Sequence, residues 1–425
     1  MHISPEELPI YKNALLHWAN KFTYCVLLDN CQSEVDKYGE FECMVGVAGE
    51  NAKLIQDIDT FQAIENQWLL GVFSYDLKNE IEPSLTKKAV KEIDLGNLAF
   101  FVPETLVCIY RNSLEIVVEG KPLIWKDLFE NKFPNKEIND VPLFHSNFSQ
   151  ATYLETIKKL REHIIEGDFY EINLSQRYLA NGKLANPASI FQQLTQVSPV
   201  PFATFFKWKD IYVMGASPER FLQLKAGKLL AQPIKGTAKR GENEIEDKQN
   251  YQKLANSEKE QAENIMIVDL MRNDLYKSAE IHSVEVPLLF EVQTFPTVHQ
   301  LVSSITAKKK PEISTWQVIK NTFPPGSMTG APKVMTMKMI DKYESVSRGI
   351  YSGSIGYIKP NGDFDLNVVI RSLIYDAKRQ QISYHVGGAI VYDSEPQAEY
   401  EETLLKAAAI QSVLGLKNLN NVNIS

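Results

Sequence analysis

Cysteine is scarce in this chain: four in 425 residues, Cys25, Cys31, Cys43 and Cys108. All precede residue 109 and none forms a CxxC pair, so neither a disulfide framework nor a structural zinc spacing is present. Reduced cysteines and a cytoplasmic setting are expected. Long apolar runs are missing too, and no stretch approaches the ~20 residues that a membrane-crossing helix needs. The opening MHISPEELPIYKN lacks the basic-then-apolar layout of a secretory leader. Positive charge is in deficit, with 45 Lys and Arg against 53 Asp and Glu, a net charge of −8. The longest basic run, Lys308–Lys310, runs into Pro311 and reads as a solvated loop, so no nucleic-acid surface is expected. Repeats and low-complexity tracts are absent. What remains is an ordinary globular composition, 44% hydrophobic and 10% aromatic, enough for two or three domains or one large interwoven unit.

Residues 1–148 read as a mostly β region with strands at Phe22–Leu28, Trp68–Tyr75 and Leu106–Val118, ending in a connection over Glu119–Asn147. A helix opens at Ser149, with apolar residues at Tyr153, Ile157, Leu160 and Ile164 near a 3.6 period, and stops at Gly167. Phe169–Leu179 follows as a strand. Short strands then mix with a long helix over Ala255–Ala279, a hairpin of Tyr351–Lys359 and Phe364–Tyr375 around Pro360–Asp363, a strand at Gln381–Val386 and a last helix at Glu395–Leu414. Strands interrupted by helices without a βαβ rhythm predict an α+β fold. Residues 149–416 form the predicted catalytic region, and 417–425 an Asn-rich, frayed tail.

Two acidic pairs stand out. Ser257 and Glu260 fit a capping box. Glu260 and Glu263 then share one helical face at i, i+3, and Glu399 and Glu402 repeat the spacing. Carboxylates crowded on one face call for a cation, and a hard, oxygen-seeking ion such as Mg²⁺ suits them; a solvated acidic face has the same spelling. In QPIKGTAKRG, Lys235 follows apolar residues and precedes Gly236 and Thr237. A lysine becomes nucleophilic there only if its surroundings depress its pKa; otherwise it is an exposed turn residue. GSMTGAPK, residues 326–333, is glycine-rich without being a phosphate-binding loop of the Walker type, and reads as a turn opening the helix near Pro332. Arg371 lies among β-formers in NVVIRSLIY, where an anion or a buried partner would explain it. Gly387 and Gly388 permit close backbone approach, and His299 stands in TVHQLVSS.

Taken in order, ASPERF (216–221), PIKGT (233–237), ENIMIVDLMRNDL (263–275), FPPGSMTGAPK (323–333), YSGSIGYI (351–358), NVVIRS (367–372) and GGAIVYDSEPQAEYEETLLKA (387–407) resemble the motifs of the chorismate-utilising enzymes. The resemblance is dense over about residues 165–412 and weak before 150. It implies a large α+β fold of two packed sheets flanked by helices, with both parts of the chain interwoven, binding chorismate with Mg²⁺. Glu263 and Glu402 match the family's metal-holding carboxylates, with Glu260 and Glu399 as partners acting through metal-bound water. Arg371 and Tyr351 match residues that grip a substrate carboxylate, and Gly236, Thr237, Gly387 and Gly388 match backbone or hydroxyl contacts.

Lys235 selects a branch. Anthranilate-forming relatives read PIAGT, whereas the aminodeoxychorismate-forming branch reads PIKGT. There the lysine is thought to attack ring C2 as the C4 hydroxyl leaves, and ammonia then adds at C4 and expels the lysine. On this reading the Lys235 pKa is depressed. Glu219 of SPERF matches the acid/base residue that assists hydroxyl loss. The branch serves 4-aminobenzoate and folate synthesis. No cysteine sits in a nucleophile-elbow context, so a separate glutamine amidotransferase subunit is expected to deliver ammonia. Other readings are an anthranilate synthase component and a silent chorismate-binding regulatory protein. There are departures from the pattern. Related enzymes place histidine where this chain has Gln300, so His299 is carried as a candidate with no assigned role. Pro325 stiffens the FPPGS loop. LLDN (27–30) replaces an LLES-type element, and feedback inhibition by tryptophan is not expected.

Overall fold

Alternation along the strands accounts for the architecture of the computed structural model, which describes residues 1–85, 95–129, 143–416 and 422–423. In Tyr24–Asp29, Tyr24 and Val26 face one apolar cluster while Cys25 and Leu27 face another. In Leu69–Phe73, Leu70 and Val72 join the first of those clusters, and Leu69 and Phe73 a third. Period-two patterning therefore lets each strand serve two cores. The shared cluster lies between two packed sheets, and helices cover the outer faces.

One sheet has twelve strands. Its main order is Phe144–Ser146, Glu171–Asn181, Gln381–Ile390, Ser372–Asp376, Ile211–Ser217, Phe202–Trp208, Tyr24–Asp29, Phe41–Ala48, Thr105–Tyr110 and Ile116–Gly120. The other has ten strands, running from Ile234–Lys239 through Val298–Lys308, Lys228–Gln232, Arg220–Lys225, Phe364–Asn367, Ser354–Ile358 and Leu69–Phe73 to Leu98–Phe101 and Leu54–Ile55. Pairings are antiparallel except that of Val422–Asn423, the described part of the tail, which runs parallel to Phe144–His145. Residues before and after 148 supply strands to both sheets, so the α+β, interwoven expectation holds.

Four expected elements differ in detail. Leu106–Val118 is two strands, Thr105–Tyr110 and Ile116–Gly120, folded back through a turn in which Leu114 has positive φ. The 119–147 connection contains the helix Trp125–Phe129 and the strand Phe144–Ser146, with 130–142 outside the described residues. The long helix expected over Ala255–Ala279 runs from Glu258 to Tyr276, because Ser257 caps it by accepting from the Glu260 N–H, and a separate helix, Glu244–Ala255, precedes it. Phe364–Tyr375 is also not one strand. Phe364–Asn367 belongs to one sheet and Ser372–Asp376 to the other, and Arg371 sits at the crossing with φ 50°.

Candidate active site

Two helices bring the acidic pairs together. Glu258–Tyr276 packs on Val298–Lys308 and Ile234–Lys239, and Pro396–Val413 packs on Gln381–Ile390. The first helix is fixed by Asn264, fully buried, which donates to the Leu301 carbonyl and accepts from Ser303 Oγ at 2.6 Å. Its i, i+3 spacing turns Glu260 and Glu263 toward the second helix. Lys259 Nζ reaches across, 3.8 Å from Glu263 Oε1 and 3.7 Å from Glu399 Oε1. Glu399 is buried and accepts from Ser394 Oγ, while Glu402, half exposed, pairs with Lys406 at 2.7 Å. Burial raises the pKa of Glu263 to about 7 and, with the Glu402 charge, raises that of Glu260. Glu402 is held lower by Lys406. Among described residues the only trio of metal-capable side chains with ligand atoms within 4.8 Å of one another is His163, Glu166 and Asp168, remote in sequence from these glutamates. The glutamate oxygens lie wider apart, with an ammonium between them. An all-oxygen donor set that draws in a lysine cation fits Mg²⁺, which keeps several waters and needs only one or two direct carboxylates.

Lys235 projects from an irregularity. The pairing of Ile234–Lys239 with Val298–Lys308 slips between Ile234 and Thr237, and such a bulge re-aims a side chain. Gly236 makes it possible: its φ is 83°, and a Cβ there would lie 2.8 Å from Glu260 Oε2. The Lys235 ammonium is nearly buried and sits 2.5 Å from Glu171 Oε1. Burial alone would depress its pKa, but the charges of Glu171 and Glu263 outweigh burial and raise it. The expected depressed lysine is corrected accordingly: in the free protein it is a paired ammonium.

Glu219 is 4% exposed and accepts from Ser327 Oγ at 2.6 Å. Burial raises its pKa to about 7, against the Ser327 hydrogen bond and the charges of Lys235 and Arg371. Ser327 belongs to the glycine-rich loop, whose closing lysine, Lys333, is taken up by Asp274 and the Thr322 and Pro324 carbonyls. No side-chain acceptor bonds the Arg371 guanidinium among the described residues. Burial lowers its pKa, with Glu219 opposing.

Tyr351 is buried and stacks on His385 at 4.8 Å with an interplanar angle of 16°. Gly387 pairs with Ser175 so closely that a Cβ would lie 2.6 Å from the Leu174 carbonyl, and its own carbonyl accepts from Lys406 at 3.0 Å. Gly388 faces Glu399. Thr237, exposed, accepts from Gln300 at 3.5 Å. His299 points the other way, as strand neighbours do: its ring bonds Thr294 Oγ1 and Asp247 Oδ1 and sits edge-on to Tyr251. Both nitrogens are engaged in tying strands to the Glu244–Ala255 helix. The LLDN run borders a separate cavity lined by Leu28, Asn30, Phe41, Phe202 and Asn367.

Sequence reasoning missed Glu171, Ser327, Lys406 and the buried Arg348, which pairs with Glu344 and lies over the Tyr75 ring. Glu171, among the β-formers of YEINL, carried the same signal as Arg371. Among the described residues, four of the buried polar atoms without a protein partner lie in this region: Glu171 Oε2, Asn173 Oδ1, Gln300 Oε1 and His385 Nδ1. Each adjoins a candidate residue, as expected where a polar substrate completes the bonding.

Residues 21–412 match the family described as chorismate binding enzyme. The chain is 37% identical over 350 residues to aminodeoxychorismate synthase component 1 of Klebsiella aerogenes, covering 80% of this chain and 76% of that one. It is 43% identical over 263 residues to aminodeoxychorismate synthase of Streptomyces griseus, covering 62% of this chain but only 36% of that protein's length. The crystal structure of anthranilate synthase component I from Streptococcus pneumoniae TIGR4 superposes with a TM-score of 0.72 at 30% identity, covering 82% of this chain and 81% of the other.

Proposed function

The chain belongs to the chorismate binding enzyme family, and we propose that within it the protein is the chorismate-aminating subunit of an aminodeoxychorismate synthase, a transferase forming 4-amino-4-deoxychorismate from chorismate and ammonia through an adduct on Lys235. The observation that carries this reading is the juxtaposition of a nearly buried lysine with Glu171 and Glu263, beside a carboxyl, Glu219, that burial keeps close to half protonated near neutral pH. The first can supply a nucleophile, the second an acid for a departing hydroxyl. Arg371 and Tyr351 bind a substrate carboxylate, and the backbone at Gly236, Gly387 and Gly388 approaches the ring with Thr237. Glu263 and Glu402 would hold Mg²⁺, with Glu260 and Glu399 acting through its water shell. When bound, the ion supplies a positive anchor for a substrate carboxylate.

Ammonia comes from a separate glutamine amidotransferase, and the setting is the cytoplasm, for 4-aminobenzoate and folate synthesis. Residues 149–416 carry every site residue named, and 1–148 complete the two sheets. The test is mass spectrometry of protein quenched with chorismate and Mg²⁺ but no ammonia. Wild type should carry chorismate minus water on Lys235, and Lys235→Ala should lose both adduct and most ammonia-dependent turnover. Wild-type rates of aminodeoxychorismate formation by Lys235→Ala would refute the assignment. An anthranilate synthase would instead release pyruvate and a fluorescent product, which the same assay detects.

A further inference from the structure

We propose that Glu171 is the proton acceptor that frees the Lys235 amine for attack, a role that rests on the Lys235 reading above. Glu171 opens the strand Glu171–Asn181 at the point where the Gly330–Ala331 segment pairs with it. Gly330 lets that loop press on the strand: a Cβ would lie 2.1 Å from the Glu171 carbonyl oxygen. That loop fixes the backbone at Glu171, and the residue is 1% exposed. Its Oε1 lies 2.5 Å from Lys235 Nζ, the only ion pair of that lysine among the described residues. The other acidic groups that act on Lys235 are otherwise engaged: Glu219 with Ser327, Glu263 with Lys259, and Glu402 with Lys406. Glu260 adjoins Gly236.

The second oxygen of Glu171 is buried with no protein partner. A buried carboxylate with one bare oxygen is poorly solvated, and its charge is tolerated only through the lysine beside it. When substrate fills the cavity and excludes water, the neutral pair of amine and carboxylic acid gains on the ion pair. Transfer of one proton from the Lys235 ammonium to Glu171 leaves both groups neutral. The amine lone pair then forms the bond to C2, the ring double bonds shift, and the C4–O bond breaks. Glu219 gives its proton to the departing hydroxyl, which leaves as water. The adduct nitrogen carries one positive charge and Glu219 one negative, so charge is conserved. When ammonia adds at C4 and the C2–N bond breaks, the lysine amine recovers its proton from Glu171. The new C4 ammonium returns one to Glu219, and the starting state is restored.

The sign of one substitution separates this role from a merely structural ion pair. Removing the anion makes the Lys235 ammonium easier to deprotonate, so a structural pair predicts adduct formation at the wild-type rate or faster in Glu171→Gln. A proton acceptor predicts the opposite: adduct formation slower by about 10²–10⁴-fold, with a rate that keeps climbing with pH. Rapid-quench mass spectrometry with chorismate and Mg²⁺, without ammonia, reads both. A wild-type rate in Glu171→Gln overturns the proposal while leaving Lys235 as nucleophile. Absence of adduct in wild type overturns the Lys235 reading itself and is recognised as such. If Glu171→Gln does not fold, Glu171→Asp carries the test. It keeps the charge but withdraws the oxygen by about one methylene, and its adduct rate must fall with the Mg²⁺ requirement unchanged; an unaltered rate overturns the proposal.

Discussion

Glu219 and Lys235 share one buried interior but respond to it differently. Taken out of water, a carboxyl resists ionisation, and the pKa of Glu219 rises to about 7. Lys235 feels the same burial, but the neighbouring carboxylates keep it charged. The sign for catalysis follows. The acid form of Glu219 predominates below about pH 7 and is lost above it, so kcat/KM should fall on the alkaline side through a limb belonging to this group. Glu219→Gln should lower the rate by about 10²–10⁴-fold and abolish that limb. A full pH profile of both proteins checks this, and retention of the limb in the variant would assign it elsewhere. Lys235 was legible in the sequence because one lysine in PIKGT changes the chemistry of a short motif. Glu171 stands among β-formers as Arg371 does, but its role was not legible, because its partner lies 64 positions away and only the meeting of strands from two sheets puts the carboxylate against the amine.

At the scale of elements, the acidic site depends on two helices that are far apart in sequence and fixed independently. Ser257 caps one, and Glu395 caps the other by accepting from the Gln397 and Ala398 N–H groups. Both helices were expected from the sequence, the first with Ser257 as its cap, and the i, i+3 carboxylates marked the faces that meet. Arg371 was misread as a strand interior. Its neighbours are all β-formers, and nothing local reveals that the chain changes sheets there with the arginine in a left-handed conformation. If each helix contributes to one Mg²⁺ site, as proposed, losing a carboxylate from either should be equivalent. Glu263→Gln and Glu402→Gln should each abolish turnover at ordinary Mg²⁺ concentrations while leaving the melting temperature of the metal-free protein within a few degrees. Activity assayed across a Mg²⁺ titration checks this. Partial rescue at high Mg²⁺ supports a metal role, and near-normal activity in both variants removes it.

For the whole molecule, the net charge of −8 opposes a dianionic substrate, so attraction has to be local. On the proposed reading, Arg371, Lys235 and a Mg²⁺ ion held between the helices would supply it, inside a cleft to which both sheets contribute. That interweaving was foreseen only through the family resemblance, since composition allowed separate domains equally well. The same scale decides the nitrogen source. Hydrolysing glutamine in the manner of a cysteine amidotransferase needs an accessible thiolate. Cys25, Cys43 and Cys108 are buried, and burial raises the thiol pKa of all four cysteines, that of Cys25 to about 12. Cys31, half-buried, is pushed up further by the Asp29 carboxylate. None of these sulfurs is ionised near neutral pH, and none lies near the Lys235 cleft in sequence. These 425 residues, purified alone, should therefore turn over chorismate with an ammonium salt and Mg²⁺ but give no product with glutamine. Mass analysis of the products with each nitrogen donor decides the point. Glutamine-dependent turnover at a rate comparable to that with ammonia would place a glutaminase within this chain and overturn the need for a partner subunit.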